Sequence, residues 1–464
     1  MTFTLSKANL ERIQEHVAQQ RDEELLAAVN DLHPADIAEV LDQLNLKEAQ
    51  YLFERLEPQL AAEVVLEVPE DRRDDLLGNY TGKEIAEELI EHIDSDDAAD
   101  MLAELSEEVR EEVLANIEDV EQRNEINELL TYDENSAGGL MAKELVKVRA
   151  DKSMLDCVRE LREHADLMDD IYVILVVDDY DRLVGSIPLK ALVTTSLRTP
   201  VKDVYERDVI SVHAHEHVEE VSRIMEKYDL VILPVVDDRG RLLGRITIDD
   251  VVDAIREEET VDAHRMAGME ALEYSYSNSS LWEMVKKRSG WLIVLFIGES
   301  FTATAMGFFV DEIEQAVVLA LFVPLIISSG GNTGSQASTL IIRALALGDI
   351  TVKEWWRIVR REASVGLILG VTLAIIGFAR VVVWSQFTDL YGPHWLLVGF
   401  IVALSLVGVV LWGNLIGSLF PLLLKRVGFD PATSSAPFVA TMVDVTGLVI
   451  YFSIASMFLR QILA

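Results

Sequence analysis

Asp444 stands in the run Thr441-Met442-Val443-Asp444-Val445-Thr446-Gly447, inside an apolar segment long enough to cross a bilayer. An ionisable group at that depth is costly and normally faces a wet path or a partner, so this carboxylate is placed to meet a cation in transit. The alternative is a structural pair with Arg380 of another apolar segment. Glu299, in the first such segment, is positioned either for packing or to face a vestibule, and Asn414 reads as an interhelical hydrogen bond. From Pro324 to Gln336 an apolar run takes in a proline, three glycines and six small polar or amide side chains. Irregular or widened backbone at membrane depth is tolerated only beside other protein or a wet cavity. That stretch therefore reads as a pathway wall, where backbone carbonyls and water approach an ion.

Five apolar segments, roughly 291–310, 316–347, 363–384, 395–424 and 436–463, must position these groups, each reaching the ~20 residues needed to span a bilayer. Basic flanks at 286–288, 353–361 and 425–426, against Lys- and Arg-free loops at 311–315 and 385–394, predict an N-terminus inside and a C-terminus outside. The chain of 464 residues carries a net charge of −39; after Val285 there are 12 Lys and Arg against 10 Asp and Glu, so residues 1–285 hold −41. This excludes nucleic acid as a partner and favours cations. A single cysteine, Cys157, fits a reducing compartment, and Met1 to Gln20 has no apolar core of a secretory signal.

Residues 1–135 show helical spacing of Leu, Ile and Val, with Ala38-Glu39-Val40-Leu41, Ala62-Glu63-Val64-Val65 and Ala86-Glu87-Glu88-Leu89 recurring every 24 residues, which suggests stacked helical hairpins in a superhelix. A second repeat, offset by 59 residues, pairs Val176-Val177-Asp178-Asp179 and Arg182-Leu183-Val184-Gly185 with Val235-Val236-Asp237-Asp238 and Arg241-Leu242-Leu243-Gly244. Each copy reads strand, acidic turn, strand, helix, and the pair resembles tandem cystathionine β-synthase (CBS) domains. That resemblance implies a nucleotide, ATP for example, held by a Ser or Thr and an Asp after the second strand. The second copy offers Gly244, Thr247 and Asp250, whereas the first has Pro188 and Ala191 at the matching places. Val251 to Arg288 reads as a long connecting helix, interrupted near Tyr274 to Ser280, with Asn278, Ser279 or Ser280 as cap.

Taken together, Gly330-Gly331-Asn332-Thr333-Gly334-Ser335-Gln336, Phe429-Asp430-Pro431-Ala432 and Pro437 through Gly447 resemble the MgtE family of magnesium channels, and Ser136-Ala137-Gly138-Gly139-Leu140-Met141 matches its domain junction. The resemblance implies an all-α superhelical N-domain (1–135), an α/β tandem CBS pair (136–255), a connecting helix (256–288) and a five-helix α transmembrane domain (289–464). It implies a homodimer in the plasma membrane whose second and fifth spans line one pore. Asp444 is then the principal pore-ion residue, Asp430 lies near the cytoplasmic side, and Gly330, Gly331, Asn332, Gly334 and Ala440 form the wall. It also implies regulatory Mg²⁺ at Glu63, Asp96, Asp100, Glu219, Asp229, Asp250, Asp253, Glu258 and Asp262. Ala436, where some members carry an amide, and Glu299, an unusual charge in the first span, depart from the family pattern. The expected activity is Mg²⁺ influx closed by internal Mg²⁺. Alternatives are another divalent ion, Co²⁺, Mn²⁺ or Zn²⁺, or a membrane-anchored nucleotide sensor; no paired nucleophile and base points to an enzyme.

Overall fold

The computed structural model describes residues 6–163, 171–272, 276, 279–310, 313 and 317–463, and the chain divides into two compact units, Met1–Glu257 and Glu258–Ala464. The first begins with ten short α-helices, from α1 (Lys7–Ala18) to α10 (Val120–Leu129). Their starts are written locally. Asn45 with Glu48 and Thr81 with Glu84 form capping boxes, and Pro34 and Pro58 open α3 (Pro34–Gln43) and α5 (Pro58–Glu67). Ala38, Ala62 and Ala86 are all buried, on α3, α5 and α7 (Gly82–Glu88), and α5 packs against both of the others. The 24-residue repeat is thus the spacing of alternate helices whose small residue faces one core.

Two three-stranded sheets follow. β1 (Lys147–Arg149) runs parallel to β2 (Val173–Val177), which pairs antiparallel with β3 (Leu183–Pro188); β4 (Val212–His213), β5 (Ile232–Val236) and β6 (Leu242–Thr247) repeat this order. The 59-residue offset survives in the register, Val176 opposite Gly185 and Val235 opposite Gly244. It survives in the turns too. Asp178 Oδ1 accepts from the amides of Tyr180 and Arg182, and Asp237 Oδ1 from those of Arg239 and Arg241, the local bonding that suits Asp to turns. The copies are joined where Leu183 N donates to Gly240 O and Leu242 N to Asp181 O.

α14 (Ile248–Met266) leaves β6 directly and ends before Gly268, whose φ of +75° only glycine adopts freely. The interruption expected within Val251–Arg288 is present, and α14 starts three residues ahead of Val251. The next helix, Leu281–Phe308, starts at Ser280, whose Oγ accepts from Glu283 N at 3.1 Å, and carries Lys286-Lys287-Arg288 straight into the first span. Asn278 lies outside the described residues.

In the second unit five helices are long and apolar enough to cross a membrane. After the first, they are Val323–Ala346 (preceded by a turn of helix at Val317–Ala320), Trp355–Trp384, Trp395–Val427 and Ala436–Leu463. Pro324 to Gln336 is not a break. It lies in one continuous helix, because glycine's loss of helix propensity, about 1 kcal/mol each, is offset by contacts that only glycine permits. A Cβ at Gly413 would collide with Gly330 O, and one at Gly417 with Gly334 O, so the second and fourth spans touch backbone to backbone. Close approach through small residues is how apolar helices associate where lipid removes the hydrophobic drive. Asn414 bonds the third span as expected, its Nδ2 donating to Glu362 O at 2.7 Å and Oε2 at 2.8 Å.

Candidate cation sites in the two units

The polar side chains of the second span divide by direction. Ser329 and Thr333 return their hydroxyls to carbonyls four residues back, Leu325 O and Ser329 O. Ser335 and Ser338 cross to the start of the fifth span, donating to Ala436 O and Ser434 O at 3.0 Å each. This zipper sets the height of the fifth helix against the second, bringing Asp444 opposite Gly331, where an added Cβ would lie 3.3 Å from Asp444 Oδ1 and 3.6 Å from Ala440 Cβ. Gly330 and Gly334 are buried against the fourth span instead of lining open space, and Asn332 is exposed. Asp444 is half-buried and Arg380 is exposed; among the described residues no ion pair joins them. The carboxylate is therefore not consumed by the structural alternative.

Asp430 is more heavily engaged than its sequence position suggests. Its Oδ1 caps the turn Pro431–Thr433 by accepting from Ala432 N at 2.7 Å, and its Oδ2 takes the Arg265 guanidinium at 2.7 Å. Six residues earlier on α14, Glu259 meets Arg343 of the second span at 3.3 Å. Glu258 and Asp262 lie on the same helix segment, both half-buried.

The first unit gathers carboxylates around the N-terminus of α8 (Ser95–Glu104). Asp94, Asp96 and Glu144 bring ligand oxygens within 4.8 Å of one another. Glu144 caps the helix, taking Ser95 N at 3.1 Å and Ser95 Oγ at 2.8 Å, while Asp97 N donates to Asp96 Oδ1 at 3.0 Å. The helix dipole favours anions here, yet burial outweighs it. Asp96 is raised well above the ordinary carboxylate range by burial first and then by Asp97, Asp250, Asp94 and Glu144. Burial first, and then Asp250, Asp94, Asp100 and Asp249, push Asp97 to about 7. Asp250, at the start of α14, is raised to about 6 by burial even though Thr247 donates both its amide and its hydroxyl to it. Arg245, 3.6 Å from Asp94, is the one cation paired with this group among the described residues and offsets only part of the repulsion; buried like charges behave this way, and a divalent cation would relieve all of them together.

Of the expected regulatory residues, Asp96 and Asp250 are brought together, with Asp100 on the exposed edge of α8. Asp253, although one turn from Asp250, is solvent-exposed and accepts from Arg256 at 3.2 Å. Glu63 lies on α5, and Glu219 and Asp229 mark the two ends of α13 (Val218–Tyr228). Sequence reasoning missed Asp94, Asp97 and Glu144. The run Asp94-Ser95-Asp96-Asp97 was a signal for the first two, whereas nothing local links Glu144 to them. Thr247 and Asp250 bond each other, so the expected nucleotide pair is occupied in capping α14. A small apolar cleft lies elsewhere in the CBS pair, lined by Leu145, Val146, Ile171, Val173, Ile232 and Arg245 among others.

Residues 323–454 match a family model described as a divalent cation transporter, residues 32–135 the MgtE intracellular N domain, and residues 137–197 and 201–257 the CBS domain. The magnesium transporter MgtE of Thermus thermophilus is 39% identical over 344 residues, 74% of each chain, and that of Enterococcus faecalis 35% identical over 341 residues, 73% of each. Among solved structures, the soluble part of a magnesium transporter aligns at 29% identity over 54% of this chain and 98% of that one, with a TM-score of 0.50. The cytosolic domain of the Mg²⁺ channel MgtE in complex with ATP aligns at 31% identity over 53% of this chain and 99% of that one, also at 0.50. A helical N-domain, a CBS pair and five apolar helices carrying an acidic cluster and an intramembrane carboxylate meet in one chain, which belongs to the MgtE family of magnesium transporters.

Proposed function

We propose that the chain is a Mg²⁺-selective channel that admits the ion down its electrochemical gradient and is closed by cytoplasmic Mg²⁺. The observation that carries this reading is Asp444 facing Gly331, a carboxylate beside a surface without a side chain. Magnesium sheds water reluctantly and is commonly held through its hydration shell by one or two carboxylates. A homodimer supplies two Asp444 groups to one path between the second and fifth spans, with Asn332 and Ala440 on its wall and Asp430 toward the cytoplasmic end. With the N-terminus inside and the C-terminus outside the plasma membrane, entry of a divalent ion gains roughly 4.6 kcal/mol per 100 mV of inside-negative potential, from ~2.3 per charge.

Regulation resides in the carboxylates of the acidic first unit and of the first residues of the second. Internal Mg²⁺ bound among Asp96, Asp100 and Asp250, with further ions at Glu63, Glu219, Asp229, Asp253, Glu258 and Asp262, offsets carboxylate repulsion. The closed form then binds metal more tightly than the open one, as any such switch requires. α14 carries the change onward, since Asp250 lies in its first turn and Arg265, the partner of Asp430, in its last. ATP at Thr247 and Asp250 of the second CBS copy is a further ligand, on the likeness to the relative solved with ATP.

The test is ion uptake into proteoliposomes with internal free Mg²⁺ varied. Uptake of Mg²⁺ that falls as internal Mg²⁺ rises, and that Asp444→Ala abolishes, is expected. Entry indifferent to internal Mg²⁺ refutes the gating, and normal selectivity in Asp444→Ala removes that residue from the pore.

A further inference from the structure

The first and fifth spans run parallel in a fixed register. Trp291 Nε1 donates to Ser435 Oγ at 3.0 Å; a Cβ at Gly298 would lie 2.9 Å from Thr441 Cγ2; the rings of Phe309 and Phe452 stack at 5.5 Å. The pairs 291/435, 298/441 and 309/452 keep a separation of 143 to 144 residues along the chain, which puts Asp444 level with residue 301. Two polar side chains of the first span flank that level. Glu299 follows the contact glycine, two residues short of that level. Thr302 lies one turn beyond Gly298, on the same side of the helix. Its Oγ1 is shielded and has no hydrogen-bond partner among the described residues, whereas Ser300 and Thr304 on the same helix bond carbonyls of the preceding turn.

Glu299 sits near the centre of the apolar stretch between Trp291 and Phe308 and is exposed, amid exposed Phe296, Ile297 and Phe301. Among the described residues no hydrogen bond or ion pair compensates it. A bare carboxylate turned to lipid at mid-membrane costs several kcal/mol, and such groups face a cavity, a partner or water. The hydroxyl of Thr302 is a second polar group without a partner among the described residues, at the same height.

We propose that Glu299 is a second carboxylate of the cation path, a specificity-determining residue that, with the Thr302 hydroxyl, meets a hydrated divalent cation beside Asp444. This deepens the channel reading and rests on Asp444 belonging to the pore. Two carboxylates from neighbouring spans of one subunit favour a divalent over a monovalent ion, since each attracts the former twice as strongly. At about 6 Å through water one carboxylate changes the occupancy of a divalent ion roughly ten-fold.

The test compares the full-length wild-type protein with Glu299→Gln, Glu299→Asp and Asp444→Asn in proteoliposomes. Glu299→Gln is expected to raise the half-saturating external Mg²⁺ roughly ten-fold and to reduce discrimination against Na⁺, while Glu299→Asp stays within about two-fold of wild type. If Glu299→Gln matches wild type in both while Asp444→Asn is inactive, this proposal fails and the channel reading stands; if Asp444→Asn conducts normally, the channel reading fails first. Should Glu299→Gln not fold, Glu299→Cys in a Cys157→Ser background decides the matter. Modification by a membrane-impermeant cationic thiol reagent, slowed by Mg²⁺, is expected, and an unreactive or Mg²⁺-indifferent thiol overturns the proposal.

Discussion

Asp97→Asn should stabilise the metal-free protein, although it removes a charge from the first turn of a helix. Burial and four neighbouring carboxylates hold Asp97 at about 7 against an ordinary 3.8, and three units at 1.36 kcal/mol each give ~4 kcal/mol of native-state cost once the group is ionised. Asp97 remains partly open to water, which halves this to ~2 kcal/mol, and the lost interaction with the α8 dipole returns ~0.5 kcal/mol. The net gain is ~1.5 kcal/mol. Because the folded-state value lies above the unfolded one, the cost is absent below about pH 3.8, grows as pH rises and is complete above about 7. Amide hydrogen exchange of α8 in the full-length protein with chelator, corrected for intrinsic rates, reads it directly. Exchange in Asp97→Asn should be about ten-fold slower than wild type at pH 8, with the gap closing toward pH 4. Added Mg²⁺ should slow exchange more in wild type than in the variant. Equal protection at pH 8, or a gap that does not depend on pH, refutes the carboxylate-repulsion argument.

Two further outcomes test the membrane unit. Gly417→Ala drives a methyl into Gly334 O and should cost ~3 kcal/mol or more, seen as a lower unfolding temperature in detergent, whereas Gly307→Ala, with open space around it, should be neutral; equal effects would deny the backbone contact. Arg265→Ala breaks a half-exposed pair worth ~1 kcal/mol and should raise the internal Mg²⁺ needed for closure by up to about five-fold in the uptake assay; an unchanged closing curve assigns the pair no gating energy.

The architecture was readable where one short-range signal suffices. Five spans follow from apolar length, the CBS pair from a repeat whose Asp residues make identical turns, and the helical N-domain from a small residue every 24 positions. What escaped was tertiary. Local propensity marks Gly330, Gly331 and Gly334 as helix breakers, and only the fourth span's Gly413 and Gly417 explain why the helix continues. Glu144 joins Asp94 and Asp96 across about 50 residues, and Arg265 reaches Asp430 across 165; neither pairing has a local signature. The connector's second helix and its Ser280 cap are legible locally, whereas the stop of α14 before Gly268 depends on a positive φ that local propensity does not mark.

The glycine contacts between the second and fourth spans also have a mechanical meaning. Interlocked side chains can change rotamer and let two helices slide, but where backbone meets backbone at Gly330–Gly413 and Gly334–Gly417 there is no rotamer to change. These two helices act as a stator. Opening of the path is then taken up at their edge, where the hydroxyls of Ser335 and Ser338 hold the start of the fifth span through a few hydrogen bonds that water can replace one at a time.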